Sequence, residues 1–213
     1  MQIIWYGHSC FLIKTSVGKR ILIEPFNTST QCNFNFPKCD LIVTSRDYSN
    51  LHLSSQNDTT KIINETGIIN IFDLRIEGLN SFQDNYNGLK RGPNIIYVIR
   101  DNHYSLCHLG NLGHIPSSVV LDKIKNIDIL FIPIGGNFTL DGFNAAKICT
   151  LIYPKYIIPM SSKTNNTSLY LDDPKNFIIS MKHVKKINSN IIDTSDLNLN
   201  HGSECLFLSP PYT

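Results

Sequence analysis

The chain has 213 residues, 42% of them hydrophobic, enough for one sizeable core, and no stretch reads as a linker, so a single domain over residues 1–213 is expected. The net charge of +2, with both signs interspersed among 17% charged residues, leaves no electrostatic footprint for nucleic acid or an anionic membrane. Apolar runs such as "IDILFIPI" stop far short of the roughly 18 residues that cross a bilayer, and "MQIIWYGHSC" lacks the basic and apolar regions of an export signal, so a cytoplasmic protein is expected.

In chain order, "QIIWYG" and "CFLIKT" read as strands, and "SVGKR" turns the second of these into a third, "ILIEPF". "DLIVTS" is a continuous apolar strand of the kind buried on both faces. "KIIN", "GIINIF" and "LRIEGL" follow as strands, and "NIIYVIRDNHYSLCHLG" reads as a hairpin with Asp101 and Asn102 at its tip. The second half alternates helices with short buried strands. "SSVVLDKIKNI" carries Val120, Ile124 and Ile127 at helical spacing, and "DGFNAAKICTLIYP" is a helix capped by Asp141 and closed before Pro154. "DILFIPIGG", "KYIIPM" and "ECLFLSP" are strands, whereas "DDPKNFIISMKHVKK" reads as a helix with acids first and bases last. Early hairpins and late strand–helix alternation suggest a layered α/β protein with mixed sheets.

Strand ends followed by turn residues are where α/β folds display functional groups. Four such places stand out: "GHSCF" at His8, "VTSRDYSN" after the fourth strand, "CHLGNLGH" up to His114, and "IPMSS". Six scattered cysteines without a C-x-x-C pair read as core thiols, Cys32 and Cys39 being the only two close enough in sequence to suspect of pairing or metal binding.

These four places, with "WYGHSCFLI", "ILIEPF", "KRGPNIIYVI", "DILFIPIGGNFTLD" and "PKYIIPM" in the same order and spacing, give the chain its resemblance to the metallo-β-lactamase fold superfamily. Within it, the chain resembles the small bacterial metal-dependent hydrolases similar to ascorbate-phosphate lactonases. The resemblance implies a four-layer αββα sandwich of two mixed β-sheets and a two-metal hydrolytic centre. In that family a His-x-His-x-Asp-His loop follows the fourth strand. The same register places Ser45, Asp47, Ser49 and Asn50 on its ligand positions, while Gln83, Asn111 and Ser161 fall on the remaining three.

Zinc takes imidazole, thiolate or carboxylate, and neutral Ser, Asn and Gln are poor replacements. The expectation from the substitutions is therefore a non-catalytic member with no metal and no cofactor, binding an unknown small molecule or protein through this pocket. Arg46 and Tyr48, interleaved with the lost ligands, and His8 and His108, in blocks beside them, are the candidate ligand-binding residues; the blander readings, an ion pair of Arg46 with Asp47 or a neighbour and structural hydrogen bonds for the two histidines, take precedence. His52 is an improvised-ligand candidate, and Lys90 and Arg91 are rim charges. The alternative is a divergent hydrolase of lactone, ester or phosphoester bonds with an unusual site for zinc or another divalent cation, in which oxygen donors such as Asp47, Asn50, Gln83 and Asn111 serve a hard ion.

Overall fold

Period-two alternation decides what each strand packs against. In the computed structural model, which describes residues 1–26, 36–46, 59–164, 170–199 and 202–211, the odd positions of the first strands (Ile3, Trp5, Phe11, Ile13, Ile21, Ile23, Leu41, Val43) enter a central core. Their even neighbours Ile4, Leu12, Leu22 and Ile42 turn to the opposite face, where Phe36 and Cys39 cover them.

Among the described residues, six strands form the first sheet, in the order β13 (Ile191–Asp193), β1 (Gln2–Gly7), β2 (Cys10–Lys14), β3 (Arg20–Ile23), β4 (Leu41–Val43) and β5 (Lys61–Ile63). It is mixed: β13 to β3 pair antiparallel, and β3, β4 and β5 run parallel. The second sheet has the order β12 (Val184–Ile187), β14 (Glu204–Leu208), β11 (Tyr156–Met160), β10 (Ile129–Pro133), β9 (Ser105–His108), β8 (Pro93–Arg100), β7 (Leu74–Phe82) and β6 (Gly67–Ile71). Its first five strands are parallel and the rest antiparallel.

Between the sheets, Tyr97, Phe131, Ile158 and Met160 of the second meet the odd positions of the first. Phe11 and Phe131, one from each sheet, lie 4.5 Å apart between ring centroids, and truncating either to Ala is expected to cost about 3–5 kcal/mol. On the far side of the second sheet, Ile96, Val98, Leu130 and Ile132 pack against helices α1 (Ser118–Ile124), α2 (Gly142–Ile152) and α3 (Lys175–Ser180) through Ile124, Ala145, Ile148 and Phe177. The expected sandwich of two mixed sheets is what the chain adopts.

Asp141 caps α2, its carboxylate accepting the Asn144 N–H at 2.8 Å, and Tyr153 ends it in the left-handed region just before Pro154. The helix expected over residues 172–186 is corrected: α3 stops at Ser180, and β12 follows. Its basic residues Lys185 and Lys186 sit in a parallel ladder with Leu206 and Phe207. Backbone pairing with the last strand outweighs a helical charge pattern worth only a few tenths of a kcal/mol per contact.

Candidate active site

Among the non-glycine residues with positive φ that directly follow strands are His8 (φ 49°) after β1, Glu24 (φ 50°) after β3 and Ser161 (φ 55°) after β11. Left-handed backbone costs an L-residue about 1–2 kcal/mol, and such strain concentrates at functional edges. Here it turns each chain sharply where the two sheets are stitched together. Ile95 N–H donates to the Ser45 carbonyl at 2.8 Å, and Ser161 N–H donates to the His8 carbonyl at 3.2 Å.

Along this edge runs a buried polar network. The Glu24 carboxylate, 1% exposed, accepts the backbone N–H of Ser45 and the Asn111 Nδ2 at 3.4 Å. The Asn111 backbone N–H donates to Asn94 Oδ1 at 2.8 Å. Asn94 Nδ2 donates in turn to Ser81 Oγ at 2.7 Å and to the Leu109 carbonyl at 3.0 Å. Gly110, at φ +60°, lets the chain pass: a Cβ there would sit 2.6 Å from Ser45 Cβ and 2.9 Å from its Oγ.

Two buried hydroxyls in the same rim, Ser45 Oγ and Ser161 Oγ, have no hydrogen-bond partner among the described residues. Native structures rarely leave such groups unsatisfied, and both fall on positions matched to metal ligands in the family pattern.

The structure brings together Ser45 and Asn111 of the expected pocket and places Ser161 on the adjoining strand end. Gln83 sits farther out, half-buried, with its Nε2 on the Pro93 carbonyl at 2.9 Å. Asp47, Tyr48, Ser49, Asn50, His52 and Cys32 lie outside the described residues. His108 is corrected as a ligand-binding candidate. Its Nε2 pairs with the Ser9 carbonyl at 3.0 Å and its Nδ1 accepts the Gly110 N–H at 3.1 Å, which leaves no ring nitrogen for a ligand. Burial pushes its pKa down to about 4, against a smaller opposing effect from the Ser9 carbonyl.

His8 engages Ser9 Oγ through Nδ1 at 2.9 Å. Burial, with Arg46 adding to it, also lowers its pKa to about 4, which places Arg46 in the field of this edge. Cys39 is a buried thiol pushed up to about 11 by burial and the nearby Asp40 charge, a poor thiolate donor. Sequence reasoning missed Glu24 and Asn94. The available signal for Glu24 was an acid closing an apolar strand directly before Pro25.

Among the described residues, no three His, Cys, Asp or Glu side chains come together. The described residues at the family's ligand positions, Ser45, Gln83, Asn111 and Ser161, carry no imidazole, while Asp47, Ser49 and Asn50 lie outside the described residues. The Asn111 side chain meets the Glu24 carboxylate, and the Ser45 and Ser161 hydroxyls are buried without a partner among the described residues; oxygen donors of this kind suit magnesium, manganese and calcium.

A metal-dependent hydrolase of Thermoplasma acidophilum, from the group called UPF0173, is 28% identical over 83% of this chain and 89% of its own length. Another of that group, from Lawsonia intracellularis, is 29% identical over 74% of this chain and 81% of its own. A Thermotoga maritima protein assigned as a zinc-dependent hydrolase of the metallo-β-lactamase superfamily superposes with a TM-score of 0.79 at 25% identity, covering 98% of this chain and 99% of that one. These relatives overturn the expectation of a non-catalytic, cofactor-free member: they are named as metal-dependent hydrolases over most of their length, and loss of imidazoles alone does not outweigh that. The sequence pattern of the β-lactamase superfamily domain matches residues 2–161, and with two mixed sheets and strand ends arranged in this way, the chain belongs to the metallo-β-lactamase fold superfamily.

Proposed function

We propose that the chain is a divergent hydrolase of lactone, ester or phosphoester bonds whose divalent cation is held by oxygen donors at the edge formed by Glu24, Ser45, Asn111 and Ser161. The observation that carries this reading is the pair of buried, unpartnered hydroxyls at Ser45 and Ser161. A hydroxyl that gains nothing from folding is destabilising by about 1–3 kcal/mol, and a bound ion would satisfy it. The hydrolase names of the relatives point the same way.

A cation there supplies Lewis acidity toward a carbonyl or phosphoryl oxygen and makes a bound water more acidic. The chain's own residues do the positioning. Glu24 fixes the Ser45 backbone and, by accepting Nδ2, orients the Asn111 amide. Asn94 anchors the Asn111 main chain. Gly110 keeps the two walls in contact.

The test is steady-state assay of the purified protein, supplied with magnesium, manganese or zinc, against a lactone, a carboxylic ester and a phosphodiester. Turnover of at least one class, lost in Asn111→Leu, supports the reading. Rates equal to the uncatalysed background for all three classes with every metal overturn it.

A further inference from the structure

Only Leu112 and Gly113 lie between Asn111 and His114, and over that distance the chain passes from the polar network into a cavity of about 640 Å³. Gln83 and Gly113 form the wall nearest the site. The Gly113 N–H donates to the Phe82 carbonyl at 3.0 Å, and a Cβ at Gly113 would fall on the Gln83 carbonyl oxygen, so the two segments are in direct contact. Residues of the 84–91 loop and the start of α2 complete its lining. The volume falls within the ~300–1,000 Å³ typical of small-molecule sites.

The charges in this cavity are unevenly committed. Its two acids are already used. Asp84 accepts the backbone N–H groups of Tyr86, Gly88, Lys90 and Arg91 at 2.6–3.0 Å, and Asp141 accepts from Asn144 through both oxygens. Its two cations are not. Among the described residues, neither Lys90 nor Arg91 has a carboxylate within ion-pair distance. Each is set instead over an aromatic ring: Lys90 Nζ lies 3.7 Å from the Tyr86 centroid and Arg91 5.2 Å from that of Phe138. Cation–π contact steadies a cation without neutralising it. The Asp84 clamp holds the backbone that carries both, so their side chains start from a fixed loop.

We propose that this cavity is an oxyanion-binding subsite, in which Lys90 and Arg91 hold the carboxylate or phosphate group of a small polar molecule whose remainder meets Asn85, Asn87, Thr139 and Asn144. Arg91 offers a planar fork that matches either oxyanion, and Lys90 a compact charge beside it. Calling the bound molecule a substrate rests on the hydrolase reading above; the binding itself does not.

The experiment is therefore a binding measurement without metal or turnover. Amide chemical shifts of the full chain are followed while inorganic phosphate and, separately, succinate are added at constant ionic strength. Saturable shifts at Gly88, Lys90, Arg91 and Asn144, at least tenfold weaker in affinity in a Lys90→Gln/Arg91→Gln variant, are expected. The stronger of the two titrants identifies the oxyanion type. Non-saturating shifts for both, or equal affinity in the double variant, overturn the subsite. Because both side chains are exposed and only their backbone is held by Asp84, the double variant keeps its fold, which the dispersion of its own spectrum verifies. Saturable binding in a protein that hydrolyses nothing would leave the subsite standing and remove the hydrolase reading.

Discussion

Glu24 and Asn111, 87 residues apart in sequence, meet at the junction of the two sheets, the Asn111 side-chain amide donating to the Glu24 carboxylate at 3.4 Å. The same carboxylate takes the Ser45 N–H, so one buried side chain ties the end of β4 to the loop after β9. Glu24→Gln keeps the shape but offers only one acceptor oxygen to two N–H donors, leaving one facing an amide nitrogen. Chemical denaturation is expected to show a loss of about 1–3 kcal/mol, with hydrolysis falling at least as steeply because Asn111 loses its orientation.

Ser45→Ala and Ser161→Ala should behave in the opposite sense. Each removes a buried hydroxyl with no partner among the described residues, so thermal unfolding is expected to be unchanged or slightly raised, within about 1 kcal/mol. Activity and cation affinity should nevertheless fall, tenfold or more. Equal activity in both variants would show that these hydroxyls are not donors.

His108 makes stability depend on acid. Its folded pKa of about 4 lies below the ordinary 6.5, so the unfolded chain binds the extra proton between these values. Its contribution is fully present above pH 6.5 and is lost as pH falls toward 4, with a limit of about 3 kcal/mol for this one residue. His8 shifts in the same direction and adds to the effect. Urea midpoints measured at pH 5 and 7 should differ, and His108→Gln should reduce the difference while lowering stability at pH 7.

Gly110 and Gly18 both hold positive φ, but only Gly110 is crowded: a Cβ at Gly18 meets nothing within 4 Å. Gly18→Ala is therefore expected to cost about 1 kcal/mol from backbone strain alone. Gly110→Ala adds a collision with Ser45 and Asn94 and should cost more than about 2 kcal/mol. Melting temperatures of the two variants separate the terms.

The strand blocks were legible because alternation and apolar runs carry their own signal: Ile95 to Ile99 read as a strand from sequence and face alternate cores in the structure. β12 and β13 were not, since each exists by pairing with a partner far away in the chain, Val184 with Cys205 and Ile192 with Ile3. The proposed site was half legible. Ser45, Asn111 and Ser161 could be placed by motif register, but Glu24 and Asn94 become site residues only when β3 lies beside β4 and the start of β8 reaches the loop after β9. The motif register also gave too much weight to the missing imidazoles: the non-catalytic reading drawn from them is the one the relatives overturn.

The most direct test is the hydrolytic rate of chelator-treated protein on its best substrate as magnesium or manganese is added back. The account predicts negligible turnover without added cation, a saturable rise with manganese or magnesium, and loss of that rise in Ser161→Ala. A rate that is the same in chelated and cation-supplied protein, or no turnover under any of these conditions, would contradict it.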